Sequence, residues 1–271
     1  MAALAAIPYQ VSAQTLIDTN FNDNTAQGWV GYNSGANFGA AATNIVLTTS
    51  SANLQVLGSP TTSFGGVARI FDGTRPFTLA VGEIMTLTFD MQWVSSLPDN
   101  NGGFRFGLLA WNEDSPLTGG SDNGYYAQVR VGTGSSGASN GAALIKDSGG
   151  PTPPSFLAGS DTTALATITG YTGVAATATT YQAILTLNRL SATELQISGS
   201  FNGNSIGTVT DSTSPFFSFS SAFIGTGGVN PNFRIDNVEV VVVPEPSTAA
   251  LLGLGFFALY LLRRRRAVSR S

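Results

Sequence analysis

Strict alternation of apolar and polar residues governs much of this chain. Between Glu83 and Val94, the residues Met85, Leu87, Phe89, Met91 and Trp93 alternate with Thr86, Thr88, Asp90 and Gln92. Successive side chains of a strand point to opposite faces, so the pattern predicts a strand with one buried face. A helix would need its apolar residues three and four positions apart. The same period recurs at Tyr181, Ala183, Leu185 and Leu187, and at Leu195, Ile197, Gly199 and Phe201. Asn202-Gly203 then leads from Phe201 into a further stretch, Ser205 to Val209. A type I′ turn needs two positive φ angles, which suit Asn-Gly, so a hairpin is predicted there. Other strands are predicted over 16–21, 44–48, 53–57, 66–71, 104–111, 125–131, 142–146, 164–169, 216–224 and 233–242. In the last of these, Phe233 and Ile235 share one parity while Val238, Val240 and Val242 share the other. A bulge at Asp236-Asn237 would restore a single buried face.

No amphipathic helix of useful length precedes residue 244, and no repeat of fixed period is present. A parallel sheet would need crossover helices. The expected fold class is therefore all-β, an antiparallel β-sandwich of the jelly-roll kind, in one domain over residues 14–243. The long connections, 95–103, 112–124, 132–141 and 148–163, are rich in Gly, Ser, Asn and Asp.

Composition removes several kinds of chemistry. The chain has no cysteine and no histidine, and Lys146 is its one lysine. Disulfides, thiolate nucleophiles and the commonest general base and metal ligand are thereby absent. Charged residues make up 10% of the chain, against about 25% in ordinary domains. The charge is also segregated. The last 28 residues hold five of the 12 basic residues and one of the 16 acidic ones, so the body carries 7 against 15, net −8. An acidic body argues against a nucleic-acid partner. By the same reasoning an acidic polysaccharide would be a poor partner unless calcium bridged it.

The C-terminal segment departs from the strand pattern. Pro244-Glu245-Pro246-Ser247 is followed by an uncharged apolar run from Thr248 to Leu262, then by Arg263, Arg264, Arg265 and Arg266. As a helix that run would span about 22 Å, short against a hydrocarbon core of about 30 Å. Snorkelling arginines and local thinning could close the gap. The positive-inside rule keeps the arginines cytoplasmic and places everything before Pro244 across the membrane. Proline-glutamate-proline, apolar helix and arginine cluster, in that order, resemble the PEP-CTERM sorting signal of Gram-negative bacteria. The resemblance implies a single C-terminal transmembrane helix over 248–262, serving as a transient anchor of a membrane-bound precursor. It implies recognition by an exosortase, cleavage near Pro244, Glu245 and Pro246, and export across the inner membrane to the cell surface or extracellular matrix. Exopolysaccharide and biofilm production accompany such systems. At the other end, Ala2 to Ala13 looks like the remnant of a signal peptide, with Val11-Ser12-Ala13 as a small-residue cleavage site and residues 1–13 outside the domain.

The body carries a looser resemblance. Asp18-Thr19-Asn20-Phe21-Asn22-Asp23 with Gly28-Trp29 opens it, and Phe233-Arg234-Ile235-Asp236-Asn237-Val238 closes it. Together they look like the concanavalin-like or laminin-G-like jelly rolls of secreted bacterial proteins. Carbohydrate-binding modules also often open and close this way. Some such jelly rolls hold a structural calcium, which here would join Asp18 or Asp23 to Asp236; no other cofactor is required. An EF-hand reading fails, because Asp23 stands where the loop needs glycine and Trp29 where it needs glutamate.

Enzymatic chemistry has little to work with. Retaining glycosidases need two carboxylates about 5 Å apart, and the glutamates here form no Glu-x-Asp-x-x-Glu pattern. Serine and cysteine triads lack their histidine or cysteine. Jelly-roll polysaccharide lyases recruit histidine or tyrosine with arginine, and Tyr125, Tyr126 and Arg130 supply part of that set. Sugar binding would instead use exposed aromatic faces. Trp111, Tyr125 and Tyr126 flank one loop, and adjacent tyrosines on a strand point to opposite faces, so one of them is expected to face outward, although large aromatics dominate sandwich interiors and the core reading is favoured for each. Trp93 continues a buried face and belongs to the core, and Trp29 could cap the sandwich. The sequence thus describes an exported, non-enzymatic cell-surface or matrix protein. A carbohydrate-binding module is the alternative, and a polysaccharide-active enzyme stands behind both.

Overall fold

The computed structural model describes residues 12–33, 45–58, 64–73, 75–94, 103–110, 123–130, 141–148, 162–169, 171, 179–227 and 232–244. They form two antiparallel sheets packed face to face. The first runs β14 (Asn204–Asp211), β13 (Leu195–Phe201), β12 (Thr180–Arg189), β7 (Glu83–Trp93), β17 (Asn232–Pro244), β4 (Asn53–Gly58) and β3 (Ile45–Ser50), with β1 (Gln14–Thr19) also on β17. The second runs β11 (Thr162–Thr169), β10 (Gly141–Asp147), β9 (Asn123–Val129), β8 (Phe104–Ala110), β16 (Ser221–Gly227), β5 (Phe64–Ile70) and β2 (Val30–Asn33). A small ribbon pairs β6 (Phe77–Thr78) with β15 (Ser218–Phe219).

The expected alternation sets the layers. Met85, Leu87, Phe89, Met91 and Trp93 of β7 and Tyr181, Ala183, Leu185 and Leu187 of β12 all point into the space between the sheets. Phe104, Phe106 and Leu108 of β8 meet them from the other side. Rings dominate one end of this core. Trp93 stands edge-on to Phe104 at 5.3 Å and to Phe233 at 6.0 Å, and Phe89 edge-on to Phe106 at 5.4 Å. Such pairs contribute about 0.5–1.5 kcal/mol beyond their buried area. Trp29 is buried as well, and its indole donates to Thr19 Oγ1 at 3.3 Å.

The hairpin at Asn202-Gly203 forms with φ of 53° and 72°, the two positive angles that a type I′ turn demands. In β17 the register slips between Asp236 and Glu239, and Asn237 has φ 49°. This bulge brings Phe233, Ile235, Val238, Val240 and Val242 all onto the core face. The same strand pairs along one edge with β7 and divides its other edge between β4 and β1.

Three features differ from the sequence expectation. The strand expected over 216–224 is interrupted at Ser220, whose N–H donates to Leu109 O while its carbonyl accepts from Phe71 N–H. The short strands β2 and β6 have too few residues to show a period. The last strand continues past residue 242 to Pro244, which stands opposite Glu83. Among the described residues no helix is long and apolar enough to cross a membrane. The expected span 248–262, Glu245, Pro246, Arg263, Arg264, Arg265 and Arg266 lie outside the described residues, as does nearly all of the signal-peptide segment.

Candidate functional site

The sheet-to-sheet core uses one face of the second sheet, and the opposite face carries the chain's most distinctive polar grouping. On β8 the inward Phe104, Phe106 and Leu108 leave Arg105, Gly107 and Leu109 pointing outward. Register places Arg105 opposite Gln128, Gln128 opposite Ala143, and Ala143 opposite Thr167. The adjacent row holds Arg130, Gly141 and Thr169, with Arg130 N–H donating to Gly141 O at 2.8 Å. Between them lies a cavity of about 170 Å³ lined by Gln128, Arg130, Ala143, Ile145, Thr167 and Thr169. It sits at the end of the sheet where β9 and β11 finish and β10 begins. Gly141 and Ala143 keep its floor low.

Below this rim the face is closed. Tyr126 packs with Ala68, Leu109, Ile145 and Phe223 in a second apolar cluster, edge-on to the Phe223 ring at 6.2 Å. The Arg105 guanidinium lies over the Tyr126 ring at 5.6 Å, within cation–π range. Burial raises the pKa of the Tyr126 hydroxyl, and Arg105, Asp147 and a hydrogen bond with Thr162 modify that shift. The phenol therefore stays protonated at neutral pH. Among the described residues of this face the charges are Arg105, Arg130 and Asp147. Arg130 is exposed whereas Asp147 is fully buried. The rim is thus locally basic on an acidic body. A guanidinium, a primary amide and two hydroxyls can together hold a carboxylate and neighbouring hydroxyl groups.

The site residues drawn from sequence fare unevenly. Trp111 lies outside the described residues. Tyr125 and Tyr126 point to opposite faces, as alternation requires, but neither faces outward to solvent: they are 0% and 1% exposed. Each ring fills an apolar cluster, as large aromatics of a sandwich interior commonly do. Tyr125 is tied into a buried network that sequence reasoning missed. Its hydroxyl donates to Asp211 Oδ2 at 2.7 Å and accepts from Phe216 N–H at 3.0 Å. Lys146 Nζ contacts the same Asp211 oxygen at 2.8 Å, donates to the carbonyls of Thr213 and Ser214, and lies 5.0 Å from the Phe216 ring. Burial opposes ionisation of Asp211, but hydrogen bonds from Lys146, Tyr125 and Thr213 outweigh it and hold the carboxyl below its ordinary pKa. Lysine at the inward parity of Ala142 and Leu144 was the available signal.

The three residues named for calcium occupy separate settings. Asp18 stands opposite Glu239. Asp23 closes its own turn, accepting from Thr25 N–H at 3.0 Å and from Gln27 Nε2 at 2.9 Å, and these bonds lower its pKa. Asp236 sits in the bulge, accepting from Asn237 N–H at 2.8 Å and opposite Asp90 in register. Among the described residues no three acidic side chains come together as metal ligands. Asp23 and Asp236 each use one carboxylate oxygen in turn and bulge hydrogen bonds.

Residues 242–266 match the model of the PEP-CTERM protein-sorting motif. Proteins with this motif are exported and sorted to the cell surface, and the motif implies processing by an exosortase. No curated protein matches the chain. Among solved structures, endo-1,3-beta-glucanase from Streptomyces sioyaensis is 12% identical over 86% of this chain and 97% of its own, with a TM-score of 0.50. The carbohydrate recognition domain of Emp46p, in its metal-free form, is 13% identical over 84% of this chain and 94% of its own, also at 0.50. A sialidase overlays on 88% of this chain, which spans 19% of the sialidase, with a TM-score of 0.45. At such identities the likeness is one of fold. The chain has a two-sheet antiparallel jelly-roll fold similar to that of the glucanase and the carbohydrate recognition domain, and it carries a PEP-CTERM protein-sorting motif near its C-terminus.

Proposed function

We propose that this protein is exported to the cell surface as a non-catalytic carbohydrate-binding protein, and that it takes carboxylate-bearing polysaccharide at the rim of its second sheet. The carrying observation is the exposed Arg130 beside buried Gln128 in a cavity walled by Thr167 and Thr169. At about 170 Å³ the cavity is well below the ~300–1,000 Å³ that engulfs a drug-sized ligand. It suits one unit or one end of a longer chain. The fold is shared with a carbohydrate recognition domain and with a glucanase, which agrees with a saccharide ligand. The net acidity of the body is no obstacle, because exposed charges farther than about 8 Å are largely screened at physiological salt. The nearby guanidinium governs the encounter.

Catalysis is left out of this reading. The chain lacks histidine and cysteine, and the tyrosine of the outer face is held protonated. Affinity electrophoresis of the purified protein through gels of acidic and neutral polysaccharides tests the proposal. Retardation in an acidic gel should be lost or sharply reduced in Arg130→Ala. A hydrogen bond to a charged group contributes about 1.5–3 kcal/mol, so the affinity should fall roughly 10- to 150-fold. Equal retardation of wild type and variant would remove Arg130 from the site. Turnover of any polysaccharide would overturn the non-catalytic reading.

A further inference from the structure

The described residues expose five large apolar side chains, and three of them gather at one place. Val81, Leu190 and Val243 are 57%, 40% and 37% exposed. Val81 precedes β7 and Leu190 follows β12, and Gly82 N–H joins the two turns by donating to Arg189 O at 2.8 Å. Val243 stands opposite Ile84 on the next strand, and Pro244 opposite Glu83. These side chains therefore surround the C-terminal end of β17. The acidic groups beside them are tied to their own turns: Glu83 accepts from Ala80 N–H at 2.8 Å and Glu194 from Ser191 Oγ at 3.2 Å.

The chain beyond that point is short before it becomes apolar. Glu245, Pro246 and Ser247 separate Pro244 from Thr248, where the uncharged run begins. Fully extended, a chain gains about 3.3–3.6 Å per residue, so Pro244 and Thr248 are at most about 14 Å apart. The headgroup layer on each side of a bilayer is itself about 5–8 Å deep. If the apolar run begins at the hydrocarbon edge, the pole of the sandwich has only several ångströms of slack above the headgroups. Pro244 is already held in register by β7, so the sheet supplies no further slack. A tether this short also raises the effective concentration of pole and membrane to millimolar or more, so weak contacts are populated.

We propose that in the anchored precursor the pole bearing Val81, Leu190 and Val243 rests on the lipid surface, with these side chains reaching into the headgroup layer. The proposal relies on the reading of residues 248–262 as membrane-inserted, and it is independent of sugar binding. Apolar patches rimmed by polar groups mark such contacts. One consequence is positional. The cavity beside Arg130 and Thr169 lies at the opposite end of the strands from Pro244, because Tyr125 and Lys146, at the other ends of β9 and β10, meet Asp211 at the Pro244 pole. The precursor would then stand on the membrane with its saccharide rim pointing away from it.

The absence of cysteine makes the test direct. The full chain, carrying Val81→Cys, Leu190→Cys or Val243→Cys, is labelled with an environment-sensitive fluorophore. It is then reconstituted into vesicles of phosphatidylethanolamine and phosphatidylglycerol containing headgroup spin labels. Val46→Cys, 52% exposed in the wild type and on β3 near the opposite pole, is the matched control. Ala258→Cys with a deep quencher reports whether the apolar run inserts. The expected result is several-fold stronger quenching at 81, 190 and 243 than at 46, with 258 quenched from the hydrocarbon side. Insertion at 258 with equal, weak quenching at the other four positions would overturn the proposal. A label at 258 that remains in water would show that the membrane reading itself is wrong, and the proposal would fall with it.

Discussion

The lone lysine shows most clearly how one residue can be fixed by its surroundings. Lys146 enters the space between the sheets, where an isolated ammonium would be costly, and meets a carboxylate, two carbonyls and a ring. Removing one partner of a buried pair leaves the other charge uncompensated, at about 3–5 kcal/mol. Asp211→Ala should therefore lower the melting temperature far more than an exposed substitution such as Thr167→Ala, as calorimetry would show. The pH dependence has a definite sign. Because the folded carboxyl of Asp211 titrates below its ordinary value of 3.8, its contribution is present above pH 3.8 and is lost as pH falls through the folded pKa. Acid unfolding of Asp211→Asn should lack that component. Asp236 behaves oppositely. Burial, with Asp90 opposite, raises its pKa above 3.8, so ionising it as pH rises through that window destabilises the fold. Asp236→Asn should be the more stable protein at pH 7 and should lose its advantage at low pH; no difference in melting at either pH would contradict this.

Strands and turns were legible where their chemistry is local. β7, β12 and β13 carry an uninterrupted period of two, and Asn202-Gly203 fits a turn with two positive φ angles. Placing a side chain with a Cβ at Gly203 forces a left-handed conformation that costs about 1–2 kcal/mol. Denaturant titration of Gly203→Val should show a loss of that size with an unchanged slope; a neutral effect would mean that the turn is not held as described. The bulge of β17 was also readable, because a change of parity from Ile235 to Val238 has no other way to keep both residues buried. The outer face of the second sheet was less accessible. Tyr126 and Gln128 of β9 and Arg130 just after it share one parity and could be grouped from sequence. Their neighbours Ala143 and Thr167 come from strands whose pairing and register depend on the whole sheet. Gly107 makes the same point. A Cβ there would meet Tyr126 Cβ at 2.6 Å, Tyr125 O at 2.7 Å and Phe223 Cε1 at 2.9 Å, a constraint visible only once three strands are assembled. The burial of both Tyr125 and Tyr126 is not legible from alternation for a related reason. Alternation assigns a side chain to a face, whereas burial depends on what packs against that face.

At the scale of the molecule, the two ends of the sandwich have different surroundings. One is continuous with the sorting motif and presents Val81, Leu190 and Val243; the other carries the basic rim of the second sheet. The proposed membrane contact and the proposed saccharide site therefore do not compete for the same surface. The central claim is that this rim is where saccharide binds. It is tested most directly by titrating a uronic-acid oligosaccharide into the isotope-labelled full chain in detergent micelles and mapping the amide chemical-shift changes. The account predicts changes centred on Gln128, Arg130, Gly141 and Thr167, with Glu83 and Leu190 unaffected. Saturable binding with changes centred on any other surface, or no binding at all, would contradict it.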